Sequence, residues 1–204
     1  MNITNEDIKW YGTEYGGFFV APKLLKPFSK ALCVGVGEDI SFDLQLIGLH
    51  NMSVLAIDPT LKAKKYVENI SPKNYQYINY ALVHETFSEK FVKMYENKNP
   101  DWVSESLVSS HNSVSESCYD AGVTKLSDFK DENFSLIKLD IEGAEYSVID
   151  EWDNWSASTL CIEFHHHCTN YSESDTERCI KKLYDLGYKN IITKNYKEVT
   201  LIKV

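Results

Sequence analysis

Two stretches of this chain place carboxylates and an imidazole where they can do chemistry. In FSLIKLDIEGAEYSVI an apolar run leads directly into Asp140, Glu142, Gly143 and Glu145. In TLCIEFHHHC a second apolar run leads into Glu163 and His165, two residues apart, so an extended backbone points both to one side. Adjacent carboxylates raise one another's proton affinity, which suits a general base, and an unperturbed histidine titrates near pH ~6.5. His165 is therefore read as a group that takes a proton from a substrate hydroxyl while a carboxylate orients its ring, and Glu163 forms the acid/base pair with it. Glu145 is read differently, as an acid that solvates the start of the next helix and opposes its dipole.

Three consecutive histidines followed by Cys168 raise the question of a metal. Neighbouring residues of a strand alternate faces and rarely converge on one ion, so zinc is disfavoured. An oxygen-preferring divalent ion held partly by Asp140 and Glu142 stays open, because such an ion lowers the pKa of a substrate hydroxyl.

A third stretch, ALCVGVGEDISFD, joins a buried strand to a polar turn with Gly35 and Gly37, after which LQLI resumes helical spacing. Glycines let a backbone approach a cofactor closely, and the helix that follows offers unsatisfied N–H groups. A dinucleotide fingerprint wants a small residue three positions after the second glycine, where Ile40 stands. Glu38 and Asp39 would repel a pyrophosphate but can accept from an aminoacyl ammonium. About twenty residues further on, VLAIDPT ends in Asp58, placed to bridge two vicinal ribose hydroxyls.

The elements that must position these residues follow an alternation of short apolar runs and amphipathic stretches from Lys30 onward, the pattern of helices covering a parallel sheet. Strands are expected near Ala31 to Val36, Ser53 to Ile57, Tyr75 to Tyr80, Ser135 to Asp140 and Thr159 to Phe164. SDTERCIKKLYDLGY has helical apolar spacing at Cys179, Ile180, Leu183 and Leu186, with Gly187 as its C-cap. NIITKNY and EVTLIKV then read as two closing strands in an antiparallel hairpin, because their connection is short. WYGTEYGGFFVAP and the Ser-rich VSESLVSSHNSVSES (residues 103–117) break the rhythm and read as loops: the first as a cover over the site, the second as a substrate loop or solvated connector.

With 204 residues the chain fits one ordinary domain plus a small extension, and 43% hydrophobic against 25% charged residues is the balance of a folded globular body. The formal charge of −9, with Lys and Arg scattered, disfavours a nucleic-acid surface and favours a small-molecule or glycan substrate. No apolar run approaches the ~18 residues of a membrane span, and the polar start MNITNEDIKW lacks signal-peptide features, so a cytoplasmic location is expected. Five cysteines without a CxxC pair (Cys33, Cys118, Cys161, Cys168, Cys179) read as reduced core thiols.

Taken in order, GVGEDISFD, AIDPT, VTKLSDF, LIKLDIEGAEYSVI and IEFHH resemble the FkbM-type methyltransferase family, from about Tyr11 to the end of the chain. LIKLDIEGAE is the most specific part. The resemblance implies an α/β, Rossmann-like class I methyltransferase: a mostly parallel central sheet with an antiparallel C-terminal hairpin strand and helices on both faces. It divides the chain into residues 1–29, an N-terminal extension covering the site, and residues 30–204, the methyltransferase domain. It also implies S-adenosylmethionine as donor and, commonly, O-methylation of a sugar, glycan or other hydroxylated metabolite. Carried over residue by residue, Gly35, Gly37 and Asp39 surround the aminoacyl part of the donor, Ser41 joins the cofactor site and Asp58 meets the ribose. Asp140 and Glu142 face the reaction crevice, and His165 matches the Glu-x-His strand end. The chain departs from the pattern at Cys33, where many class I methyltransferases carry an acid, and at Ile40, where the third motif glycine is absent. The expected activity is thus methyl transfer to a hydroxyl, with a non-catalytic donor-binding protein and, less favoured, an NAD-dependent oxidoreductase as alternatives.

Overall fold

In the computed structural model, which describes residues 3–194 and 197–203, the expected strands form in the expected places. A hairpin of β1 (Lys9–Tyr11) and β2 (Phe18–Val20) precedes β3 (Lys30–Val34), α1 (Ser41–His50), β4 (Ser53–Ile57), α2 (Leu61–Ile70) and β5 (Tyr75–Ile78). Next come β6 (Ala81–Leu82), β7 (Phe91–Asn97) and β8 (Val114–Thr124), and then β9 (Phe134–Leu139), α3 (Glu145–Glu151) and β10 (Thr159–Glu163). The chain closes with α4 (Glu173–Asp185), β11 (Tyr188–Lys194) and β12 (Glu198–Lys203).

Seven strands make the central sheet in the order β11-β12-β10-β9-β3-β4-β5. The five from β5 to β10 pair in parallel, and β12 pairs antiparallel with both β10 and β11. The closing hairpin is therefore antiparallel, as its short connection requires. Residues 195, 196 and 204 of the two closing segments lie outside the described residues. Strand side chains alternate between two apolar layers. Leu32, Val34, Leu55, Ile57, Ile137 and Leu139 pack toward α3 and α4, whereas Ala31, Cys33, Val54, Ala56 and Leu136 pack toward α1 and α2. In α4 the residues at helical spacing behave as read, Cys179 and Leu183 buried, Ile180 and Leu186 packed against them, and Gly187 at φ 94° just past the end.

The two segments read as loops are corrected. WYGTEYGGFFVAP contains the β1–β2 hairpin, whose Tyr11, Phe18 and Val20 enter the apolar layer on the α1 face, with the Phe19 carbonyl accepting from Thr200 Oγ1 at 2.7 Å. Three-residue strands around Gly12, Gly16 and Gly17 are too short to show a period-2 pattern, which is why the glycines dominate the reading. The Ser-rich stretch is loop only as far as Ser113, and Val114–Ser117 begin β8, in a separate three-stranded sheet of order β6-β8-β7. Four of the cysteines are buried and free, but Cys118 is exposed on β8, so the reading of all five as core thiols fails there.

Candidate active site

Strand order reverses at β3: β4 follows on one side and β9 lies on the other, so a crevice opens beyond the carboxyl ends of β3 and β9. A cavity of about 490 Å³ occupies that crevice. The turns after the two strands nearly touch. A Cβ on Gly35, at φ 85°, would stand 1.6 Å from the Asp140 carbonyl oxygen, so only glycine fits. Gly37, at φ 55°, has only Val103 Cγ2 near its missing Cβ, at 3.3 Å, and keeps its backbone open toward the cavity.

Asp58, buried at the end of β4, clamps this glycine turn. Its Oδ2 accepts from Val36 N (2.8 Å) and Gly37 N (3.0 Å), and its Oδ1 accepts from Thr60 N (2.8 Å) and Thr60 Oγ1 (2.7 Å). Those four donors fill the acceptor capacity of one carboxylate. Asp39 lines the cavity and caps the start of α1, accepting from Ser41 N at 2.8 Å, while its other oxygen accepts from Thr13 Oγ1 in the N-terminal hairpin. Burial raises the proton affinity of Asp39, but the hydrogen bonds from Ser41 and Thr13 outweigh it and hold the carboxyl below its ordinary value. Ser41 does not line the cavity: its Oγ accepts from Thr13 N at 2.8 Å, so the structure gives this residue to the hairpin.

Across the crevice, Asp140, Glu142, Glu163 and His165 all line the cavity. The fully buried residue behind them is Glu145, the first of α3. Its Oε1 accepts from Ile141 N (2.8 Å) and from His165 Nδ1 (2.9 Å), and its Oε2 accepts from Gly143 N (3.0 Å). Glu145 thus shapes the turn after β9 and fixes the imidazole at once. This corrects the reading of Glu145 as a solvating helix-start acid, and Glu145 supplies the carboxylate expected to orient the His165 ring. The turn itself carries Glu142 at φ 52° followed by Gly143 at φ 107°, a conformation costing a non-glycine residue of order 1 kcal/mol. It is held in place by Ser106 Oγ, which donates to the Glu142 carbonyl at 2.6 Å.

With Nδ1 donating to Glu145, His165 Nε2 faces the cavity, 3.5 Å from Glu142 Oε2 and 3.8 Å from Asp140 Oδ1. Burial alone would lower its proton affinity, but Glu145, Glu142 and Asp140 push its pKa up to about 10. The surrounding carboxylates thus favour the protonated, donating form of the imidazole over the role of a base. Burial, then the charge of Asp140, pushes Glu163 up to about 8. Burial also raises Asp140, against the pull of Lys138 and His165. Glu142 is raised by burial, but the His111 hydrogen bond and the His165 charge hold it below its ordinary value.

Several residues of this site carried no sequence signal. His111 accepts from Ser113 N at Nδ1, and its Nε2 pairs with Cys168 Sγ at 3.0 Å and stands 3.1 Å from Glu142 Oε2. Lys138, on the buried face of β9, donates to the Gly35 carbonyl at 2.7 Å and stands 3.6 Å from Asp140 Oδ2. Tyr15 and Trp102 line the mouth and are 73% and 59% exposed. The histidine run also differs from its expected form. β10 ends at Glu163, so the three histidines lie beyond the strand, and face alternation is not what separates them. His165 faces the cavity, His166 Nδ1 pairs with Thr176 Oγ1 at 3.0 Å, and exposed His167 lies at the cavity rim. Among the described residues, one ligand atom each of Asp140, Glu163 and His165 lies within 4.8 Å of the others, whereas the three consecutive histidines form no such group.

No curated protein matches the chain. Among solved structures, it is similar to a Methanococcus jannaschii fibrillarin pre-rRNA processing protein at 11% identity and TM-score 0.50, covering 88% of this chain and 68% of that one. It is also similar to a precorrin-6y C5,15-methyltransferase from Geobacter metallireducens (12% identity, 89% and 85% covered, TM-score 0.47). A further similarity is to MtNAS (8% identity, TM-score 0.44), where 88% of this chain spans only 55%, about half, of that protein. The fold, a mostly parallel sheet closed by an antiparallel hairpin, is shared with the fibrillarin protein. The family model of the methyltransferase FkbM domain matches residues 32–189, from the strand before the glycine turn to the first closing strand, and the chain belongs to that family of S-adenosylmethionine-dependent methyltransferases.

Proposed function

We propose that the protein transfers the donor's methyl group to a hydroxyl oxygen of a sugar, glycan or small metabolite. The observation that carries this reading is the charge of the cavity wall. Asp39, Asp58, Glu105, Asp140, Glu142 and Glu163 line it, against Lys138 as the buried ammonium. Such a wall complements a sulfonium and an aminoacyl ammonium and opposes a pyrophosphate or a phosphodiester backbone, which argues against NAD and against nucleic acid as acceptor.

The donor's aminoacyl end fits beside Gly35, Gly37 and Asp39. A ribose hydroxyl reaches Asp58 by taking the place of the Thr60 hydroxyl, the one of its four donors that can rotate away. Tyr15, carried on the N-terminal hairpin, and Trp102 flank the mouth, and the hairpin segment of Glu14, Tyr15 and Gly16 serves as the cover of the site. When bound, the donor supplies an electrophilic methyl on a cationic sulfur, which leaves as a neutral thioether. The acceptor hydroxyl lies against His165 Nε2 and Asp140. Its proton passes to the Asp140 carboxylate, and the imidazolium, already oriented by Glu145, stabilises negative charge developing on the oxygen.

The test is a screen of hydroxylated acceptors with methyl-labelled donor, repeated with Asp140→Asn and His165→Gln. The reading expects label on oxygen and turnover reduced about 100-fold or more in both variants, with donor affinity changed far less. Donor binding without transfer to any hydroxylated acceptor, or unchanged turnover in both variants, contradicts it.

A further inference from the structure

The cluster that faces the acceptor has the make-up of a cation site. One ligand atom each from Asp140, Glu163 and His165 lies within 4.8 Å of the others. Ligand atoms of a single ion at about 2.1 Å stand roughly 3 to 4 Å apart, so a small inward movement closes this set. His165 Nε2 to Asp140 Oδ1, at 3.8 Å, already lies in that range.

The second observation is the ring behind the cluster. His165 is 4% exposed, and its Nδ1 is committed to buried Glu145. Nε2 is directed into the cavity, with no hydrogen-bond partner among the described residues. Metal-ligating histidines are typically held this way, one ring nitrogen on a carboxylate and the other on the ion. Lys138 stands against Asp140 Oδ2 and leaves Oδ1 free. Four carboxylates, Asp140, Glu142, Glu145 and Glu163, gather around His165, with the Lys138 ammonium beside Asp140.

We propose that Asp140, Glu163 and His165 bind a divalent first-row cation of the Mn2+ type, which suits two carboxylates and one imidazole. This deepens the O-methylation reading and rests on it for its purpose. The ion displaces the Nε2 proton of His165 to solvent and takes over from the imidazolium the stabilisation of charge on the acceptor oxygen, and Glu142, 3.5 Å from His165 Nε2, is left to receive the hydroxyl proton.

Mn2+ alone is the probe, titrated into chelator-treated protein and followed by electron paramagnetic resonance, without donor or acceptor. The expected result is one saturable site with spin-echo modulation from a directly bound nitrogen. Glu163→Gln and His165→Gln should weaken it at least tenfold, the second abolishing the modulation, and Glu145→Gln should weaken it about 10- to 100-fold while sparing the ligands themselves. Circular dichroism identifies any variant that fails to fold, and the remaining variants then decide. Absence of a saturable site, or Mn2+ binding unaltered in the folded variants as expected of scattered surface acids, overturns the proposal. Methyl transfer to oxygen that persists undiminished in chelator would overturn the metal while leaving O-methylation standing. Saturable Mn2+ binding without transfer to any hydroxyl would keep the site and remove O-methylation.

Discussion

Glu145→Gln is the substitution that most exposes the logic of the site. The change is isosteric, so packing around the side chain is preserved and only charge and hydrogen bonding differ. The native carboxylate accepts from Ile141 N, Gly143 N and His165 Nδ1, on two oxygens with no exposure to solvent. A glutamine oxygen can serve Ile141 and His165 together, but its NH2 then opposes the Gly143 N–H and leaves a buried donor unsatisfied, at about 1–3 kcal/mol. Removing one member of a buried ion pair costs roughly 3–5 kcal/mol, and the retained oxygen places the total near the lower end, about 3 kcal/mol. For a chain of this length that corresponds to a fall in Tm of roughly 6–12 °C. Glu145 is also the largest cause pushing His165 toward a pKa of about 10, so the variant should return the imidazole toward its ordinary range. Thermal denaturation and an NMR pH titration of the His165 ring, both in chelator, read the two effects. A Tm within about 2 °C of wild type, together with an unshifted ring titration, would refute the role given to Glu145.

Three further outcomes follow from the same geometry. Gly35→Ala places a methyl 1.6 Å from the Asp140 carbonyl at φ 85°, so it should abolish donor binding or folding altogether; an alanine variant that binds the donor normally by calorimetry contradicts the close approach of the two turns. Asp58→Asn keeps one acceptor oxygen of two, which should cost about 2 kcal/mol in urea unfolding and weaken the donor tenfold or more, whereas wild-type behaviour would show that the clamp on Val36 and Gly37 is idle. In chelator, stability should fall as pH rises: folded His165 binds its proton up to about 10 while the unfolded residue releases it near 6.5, so the folded state holds the extra proton and its advantage is lost across that window. Glu163, raised to about 8, acts in the same sense from about 4.5 upward, and a Tm that stays flat or rises between pH 6.5 and 9.5 would contradict both.

The fold was legible because its five parallel strands are short apolar runs bounded by turn residues, and those runs predicted β4 to the residue. The glycine turn was legible for a steric reason, since Gly35 sits where no side chain fits. What stayed hidden depends on tertiary contact. β7 and β8 mix exposed and buried residues without a clean alternation, so a Ser-rich strand reads as loop. His111 comes to Glu142 across 31 positions of sequence, and nothing in its own neighbourhood marks it. Glu145 fits a helix-start acid equally well until its total burial is seen. The residue type of His165 suggested a base, whereas three surrounding carboxylates make it a held cation. Local sequence reports which groups are present at a strand end; their protonation is set by neighbours it does not display.

The central claim is that the acid-walled crevice between β3 and β9 takes a cationic methyl donor. Calorimetric titration of the purified protein with S-adenosylmethionine, its demethylated product and NAD tests it most directly. The account predicts saturable one-to-one binding of the sulfonium donor and its product, with no heat from NAD. Binding of NAD in preference to the donor, or no binding of the donor at all, would contradict it.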